Sequence, residues 1–517
     1  MRRRDFLRAL AAAGAGGVVA ALDYAPHRAW GADDPLPEGF ATSFPDGIKA
    51  GDPWSGGSVI WTRVTPPPDG RAVPIVWTVA EDAALQQIVR GGVTWARAGA
   101  GHIVKVQVRG LEADRWYHYR FDGPGAASVV GRLRTAPRKG TMPDRLRYAF
   151  ASCQQRNDSF YVAHRAIVQE NVDFLMHLGD YIYVNDGFDT TVERYRNRWR
   201  TFHSNPLLQE LQAAVPLVAM WDDGEFYNGV DRTGPPARLA AAKQAWFEHM
   251  PVLDNRHARA HRSFRWGRLA DVVMIDVRSY RDPEVPANTS FGGIIDGQDS
   301  RIPPGPQMFA PERTTLGLPQ AQWLRRTLRR SAATWRFVGN PYNMNPWKLS
   351  DLAGQPGAHP NEGIYVSNEA WDDYQAERRA LLEYIERHAI PNVVFTSGHT
   401  HIYLASELQP DFDDPTSPTV AFDFVTGSLT ADPDPRTIAP EPLLIAAENL
   451  MIAQNAPYLK KVNILDQGYA VVDATPEETI VEFRVLDTFD PNAEARTASR
   501  FRVVNGGRTL ETLFSER

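Results

Sequence analysis

From residue 146 onward the chain repeats one pattern: a short apolar run, a polar cluster at its end, then a stretch with helical periodicity. The runs are Leu146–Ala151, Phe174–Leu178, Val215–Met220, Asp271–Ile275, Trp335–Val338 and Asn392–Phe395. Helical patterns fall near 159–171, 191–211, 236–249, 319–331 and 369–389. Such alternation predicts an α/β fold, a sheet buried under helices. Ligands in these folds collect beyond the carboxyl ends of the strands. Residues 419–505 return to strands, with one helix near 441–453.

Residues 40–136 read differently. Strands are expected at Ser58–Val64, Val73–Ala80, Ile103–Val108, Trp116–Phe121 and Val129–Thr135, with a short helix near 81–88. This spacing suggests a β-sandwich of immunoglobulin or fibronectin type. Pro137, Lys139, Gly140 and Pro143 form a linker. The first residues are an export signal: Arg2-Arg3-Arg4-Asp5-Phe6-Leu7-Arg8 precedes an apolar run from Ala9 to Leu22 that is too short and glycine-rich to span a bilayer. Arg3-Arg4-Asp5-Phe6-Leu7 fits the twin-arginine pattern, with cleavage between Ala29 and Asp33. The expected division is a signal over 1–32, a β-sandwich over 38–137 and a catalytic domain over 144–510. The mature protein is expected outside the cytoplasm, periplasmic or secreted, after passage through the twin-arginine translocase. With no lipidation cysteine or basic amphipathic helix, it has no expected membrane anchor.

Cys153 is the single cysteine, which excludes an internal disulfide and thiolate-rich metal sites. A net charge of -6, from 56 basic and 62 acidic residues, leaves no nucleic-acid footprint. Neither GxGxxG nor a P-loop is present, so nucleotide-binding folds drop out.

The strand ends carry the chemistry. Leu146–Ala151 leads to Ser152-Cys153, and Phe174–Leu178 to Gly179-Asp180-Tyr181-Ile182-Tyr183. Val215–Met220 leads to Trp221-Asp222-Asp223-Gly224-Glu225, Trp335–Val338 to Gly339-Asn340, and Asn392–Phe395 to Gly398-His399-Thr400-His401. In extended backbone His399 and His401 face one side and can share an ion. One helical turn brings Asp180 and Tyr183 together, and their hard oxygens favour iron(III). Three acids within four residues at 222–225 are costly without a cation. Each piece has a plainer reading alone: hydrogen-bonded histidines, a turn-capping aspartate, an exposed acidic turn, an inert buried thiol. Together they supply sulfur, oxygen and nitrogen donors for two metal ions bridged by Asp180, a set suited to phosphate ester hydrolysis.

These motifs resemble the alkaline phosphatase D (PhoD-like) family of exported metallophosphoesterases. The resemblance rests on Gly51-Asp52-Pro53, Ser58 to Arg63, Trp116 to Phe121 and Gly131 to Pro137 in the N-terminal part. In the catalytic part it rests on Phe150 to Cys153, His177 to Tyr183, Trp221-Asp222-Asp223, Thr315-Leu316-Gly317 and Trp371 to Tyr374. It implies a four-layer metallophosphoesterase sandwich, two mixed sheets flanked by helices, behind an immunoglobulin-like domain. Cys153, Asp180, Tyr183 and His401 would hold iron(III). Asp180 would bridge to a second divalent ion held by Asp223 or Asp222 and Asn340, and a metal-bound hydroxide would attack the ester. Asp180, Asp223, His399 and His401 would carry catalysis, in a protein expected to be a monomer acting on small phosphate esters.

The chain departs from the family in three places. Gly224 replaces a histidine that assists the leaving group, His399 stands where aspartate is usual, and Val184 replaces a glutamate. His399 would shift the second ion from calcium toward zinc, manganese or iron(II). His359 is a candidate for the missing imidazole. Losing a general acid costs on the order of a hundred- to ten-thousand-fold. Gly224 therefore favours activated or diester substrates, or, as the alternative, a weak or inactive phosphate- or metal-binding relative.

Overall fold

A computed structural model of the chain describes residues 39–516, apart from 157–158, 185–190, 254–258, 286–289, 292–299, 302–305, 352–362, 366–369, 432–434 and 438. The expected export signal and His359 lie outside the described residues. The chain forms two compact units.

The first unit gathers 39–138 with 195–218 and 244–255. Gly57–Arg63 pairs antiparallel with Ile48–Trp54 on one side and Ile103–Arg109 on the other, and Leu217–Ala219 runs parallel to Ile48–Trp54. A second antiparallel sheet joins Ile88–Ala96, Val73–Ala80, Trp116–Gly123 and Gly131–Arg134. Period-two alternation buries Ile48, Ala50, Ile60 and Val104 in one core with Ile75, Val79, Tyr119 and Phe121. The short helix expected near 81–88 is absent: this stretch turns, and Ile88–Ala96 is a strand laddered to Val73–Ala80. Gly91, Gly92 and the β-branched residues around them oppose a helix and suit a strand.

The second unit, 139–194, 219–243 and 256–516, holds two mixed sheets. In the first, Leu146–Ala151 lies parallel to Phe174–His177, with the Val162–Gln169 helix crossing between them in sequence, and antiparallel to Gln467–Ala474. Glu478–Leu486, Arg496–Val504 and Glu511–Ser515 extend that antiparallel side. The second sheet has seven strands. Its centre is parallel: Ala270–Met274, Trp335–Tyr342, Val393–Gly398 and Ala421–Val425.

Aromatic side chains close the space between these sheets. Tyr148 meets Phe337 at 5.3 Å between ring centres, Tyr403 meets Phe483 at 4.8 Å, and Phe424 meets Phe501 at 5.8 Å. On its other face the seven-stranded sheet buries Val273, Val338, Val393 and Phe395 beneath Leu324, Leu328, Leu381 and Leu382 of the Gly317–Arg330 and Gln375–Arg387 helices. The fold is therefore α/β with mixed sheets and helices, preceded by an N-terminal sheet domain.

Candidate active site

Parallel pairing delivers the ends of several strands to one place. Past Leu146–Ala151, the Cys153 N–H donates to the Gly179 carbonyl at 3.2 Å, and the Gln154 N–H to the Asp180 carbonyl at 2.9 Å. The His399 N–H, from the other sheet, donates to Ser152 Oγ at 3.3 Å. Two groups of donor atoms result, each within 4.8 Å of one another: Cys153, Asp180 and His401, and Asp180, Asp222, Asp223 and His399. Asp180 belongs to both. Cys153 Sγ lies 3.4 Å from Asp180 Oδ2, and Tyr183 Oη lies 3.3 Å from His401 Nε2. His399 Nδ1 is 2.7 Å from Asp222 Oδ2 and 4.0 Å from Asp180 Oδ2.

Backbone conformation explains the convergence. Cys153, Asp180, His399 and His401 all take left-handed φ, at 61°, 55°, 70° and 57°. Non-glycine residues adopt this region rarely, and clusters of them mark strained functional loops. His399 and His401 are therefore not on one extended strand, and each serves a different donor group. No helical turn joins Asp180 to Tyr183 either. Gly179, at φ 101°, is required: a Cβ there would meet Asp222 Cβ and N at 2.4 Å.

Burial, with Cys153, Asp223 and Asp222 close by, pushes the Asp180 pKa well above the carboxylate range. Burial would also raise Asp222, but Arg278 and His399 outweigh it and hold its pKa below the usual value. Asp180, Asp222, Asp223, the Cys153 thiol and the two imidazoles gather beside the Arg278 guanidinium. That donor set suits cations, with sulfur and nitrogen on one side and mostly oxygen on the other.

The pattern of the PhoD-like phosphatase family matches residues 148–483, and that of its N-terminal domain matches 32–137. The chain belongs to the PhoD-like phosphatase family. It is 31% identical over 492 residues to alkaline phosphatase D of Bacillus subtilis (strain 168), covering 88% of this chain and 80% of that one. A solved structure described as the structure of PhoD superposes with a TM-score of 0.79 at 30% identity, covering 92% of each chain. The protein is thus a phosphoric ester hydrolase.

Within this PhoD-like phosphatase, Glu225 ties the acid-bearing loops together. Its carboxylate accepts from the N–H groups of Asp180 at 3.1 Å, Tyr181 at 2.8 Å and Asp222 at 2.9 Å. Burial pushes its pKa up to about 8 against these donors. The Gly224 N–H donates to Asp180 Oδ1 at 2.8 Å, and a Cβ on Gly224 would lie 2.7 Å from both that oxygen and the Ile182 carbonyl. Glycine at 224 is thus sterically matched to this loop, beyond being a lost imidazole.

Asn340 is buried, with its amide nitrogen donating to the Tyr342 carbonyl and Ser397 and its oxygen accepting from Trp371 at 3.3 Å.

Sequence reasoning missed Arg278. It is fully buried, donates from Nε to Asp222 Oδ1, reaches Asp223 Oδ2 at 3.5 Å and stacks over Tyr342 at 4.6 Å. The signal was available, because Asp276 and Arg278 follow the Ala270–Met274 strand as polar ends follow the other strands.

Proposed function

We propose that this phosphoesterase uses two metal ions: Cys153, Asp180, Tyr183 and His401 would hold iron(III), and Asp180, Asp222, Asp223 and His399 would hold a divalent ion. The observation carrying this reading is the membership of Asp180 in both donor groups. Ions held there would supply Lewis acidity and an activated water nucleophile. The chain's own part is positional. Glu225 and the Gly224 N–H hold Asp180 in place, and Arg278 holds Asp222 while neutralising part of its charge.

With glycine at 224, no imidazole from that position protonates the leaving group. Esters with good leaving groups, and diesters, are the substrates this arrangement favours. We further propose export through the twin-arginine pathway, read from Arg3-Arg4-Asp5-Phe6-Leu7. Among the described residues no helix is long and apolar enough to cross a membrane.

The test compares wild type with Asp180→Asn for bound metal, by elemental mass spectrometry, and for hydrolysis of nitrophenyl and bis-nitrophenyl phosphate. The variant should lose both metals and turnover. Retention of both metals would refute the bridging role.

A further inference from the structure

The second unit also carries an open cleft of about 400 Å³ along Arg262–Trp266, the edge strand of the seven-stranded sheet. Asp271, near the start of the Ala270–Met274 strand, lines it, whereas Arg278 lies beyond the end of that strand. At ~3.3 Å per strand residue the two are roughly 15–20 Å apart. The cleft therefore belongs to a different place from the acid cluster.

Its walls are basic. Lys139, Arg326 and Arg330 line it, all exposed, and none has a carboxylate partner among the described residues. Arg265 adds a fourth cation, but it grips Asp271, the one acid on the wall, through both guanidinium arms. Three positive charges are left uncompensated around a concave surface whose volume suits a small ligand. Arg326 and Arg330 stand one helical turn apart on the Gly317–Arg330 helix, and Trp323 lines the cleft one turn earlier. A basic last turn favours the helix dipole, which accounts for Arg330. It does not account for Lys139, from a separate segment, facing the same cleft.

We propose that this cleft is an anion-binding site, separate from the hydrolytic centre, for a small ligand bearing at least two phosphate groups. Cations held close together repel one another, and an oligoanion converts that repulsion into attraction. Planar guanidinium groups suit phosphate oxygens. The Trp323 indole gives the site one apolar wall.

The test is calorimetric titration of the full-chain enzyme with inorganic tripolyphosphate at low and moderate salt. Wild type should show one binding event more than the Arg326→Ala/Arg330→Ala variant, and that event should weaken at least tenfold as salt screens it. Lys139→Glu, on a different segment, should weaken the same event. Arg329→Ala, an exposed neighbour that does not line the cleft, should bind as wild type. Nitrophenyl phosphate turnover should be equal in all four proteins, which separates this site from the hydrolytic one and reports correct folding. The proposal fails if the double variant titrates as wild type, or if Arg329→Ala loses as much as the double variant.

Discussion

Adding a single carbon at residue 224 should disturb the loop that holds Asp180. A Cβ there would approach Asp180 Oδ1 and the Ile182 carbonyl oxygen to 2.7 Å each, about 0.7 Å inside the 3.4 Å at which ordinary contact begins. One of the obstructing atoms is a backbone oxygen, so relief requires the loop from Asp180 to Tyr183 to move. Strain from overpacking of this kind typically costs about 1–3 kcal/mol of stability. Misplacing reacting groups by about 1 Å costs on the order of a hundredfold in rate. Gly224→Ala should therefore lower kcat roughly ten- to a hundredfold on nitrophenyl phosphate, with less metal retained and a lower Tm. Gly224→His brings the same Cβ, so restoring the imidazole should not restore general-acid catalysis. The assay measures kcat, metal content and Tm for both variants, using phenyl phosphate as an ester with a poor leaving group. A Gly224→His enzyme with full metal content and raised kcat on phenyl phosphate would refute the steric argument.

Two further outcomes follow from buried charges. Arg278→Met should strand Asp222 and Asp223 without their guanidinium, lowering stability by about 3–5 kcal/mol and reducing turnover, as read by urea unfolding and kcat. A stable variant with unchanged kcat would contradict the role given to Arg278. Burial pushes the Asp423 pKa up to about 6, against the Met344 N–H and Ser397 hydroxyl that it accepts. Its folded pKa lies above the unfolded one, so its contribution to stability is complete below about pH 4 and is lost as pH rises through 6. Asp423→Asn should remove that loss, on the order of 3 kcal/mol, so the variant should gain on wild type across this window in thermal melts. Parallel melting curves for the two proteins would count against it.

Much of this was legible in the chain because burial writes a simple code. A strand covered on both faces must be apolar until it emerges, so the polar residues after Ala151, Leu178, Met220 and Phe395 identified themselves. What escaped depended on backbone conformation. The rule that residues two apart share a face assumes extended φ, and the left-handed φ of His399 and His401 breaks it, sending the rings to separate donor groups. Arg278 was passed over because a guanidinium ligates no metal, although its strand end obeyed the same code. The turn at 81–87 and the strand after it were misread because Ile88–Ala96, with only partial burial, lacks a clear apolar period.

The left-handed residues at 153, 180, 399 and 401 also bear on how this protein responds to selection. Each holds an L-side chain in a conformation that costs about 1–2 kcal/mol and that glycine would relieve. A screen rewarding heat resistance alone would be drawn to these codons, gaining stability at each while discarding a thiol, a carboxylate or an imidazole. A screen rewarding hydrolysis alone would leave them untouched and seek its gains elsewhere. Lineages bred under the two regimes should diverge at these four positions first, and the thermostable line should arrive there with its chemistry gone.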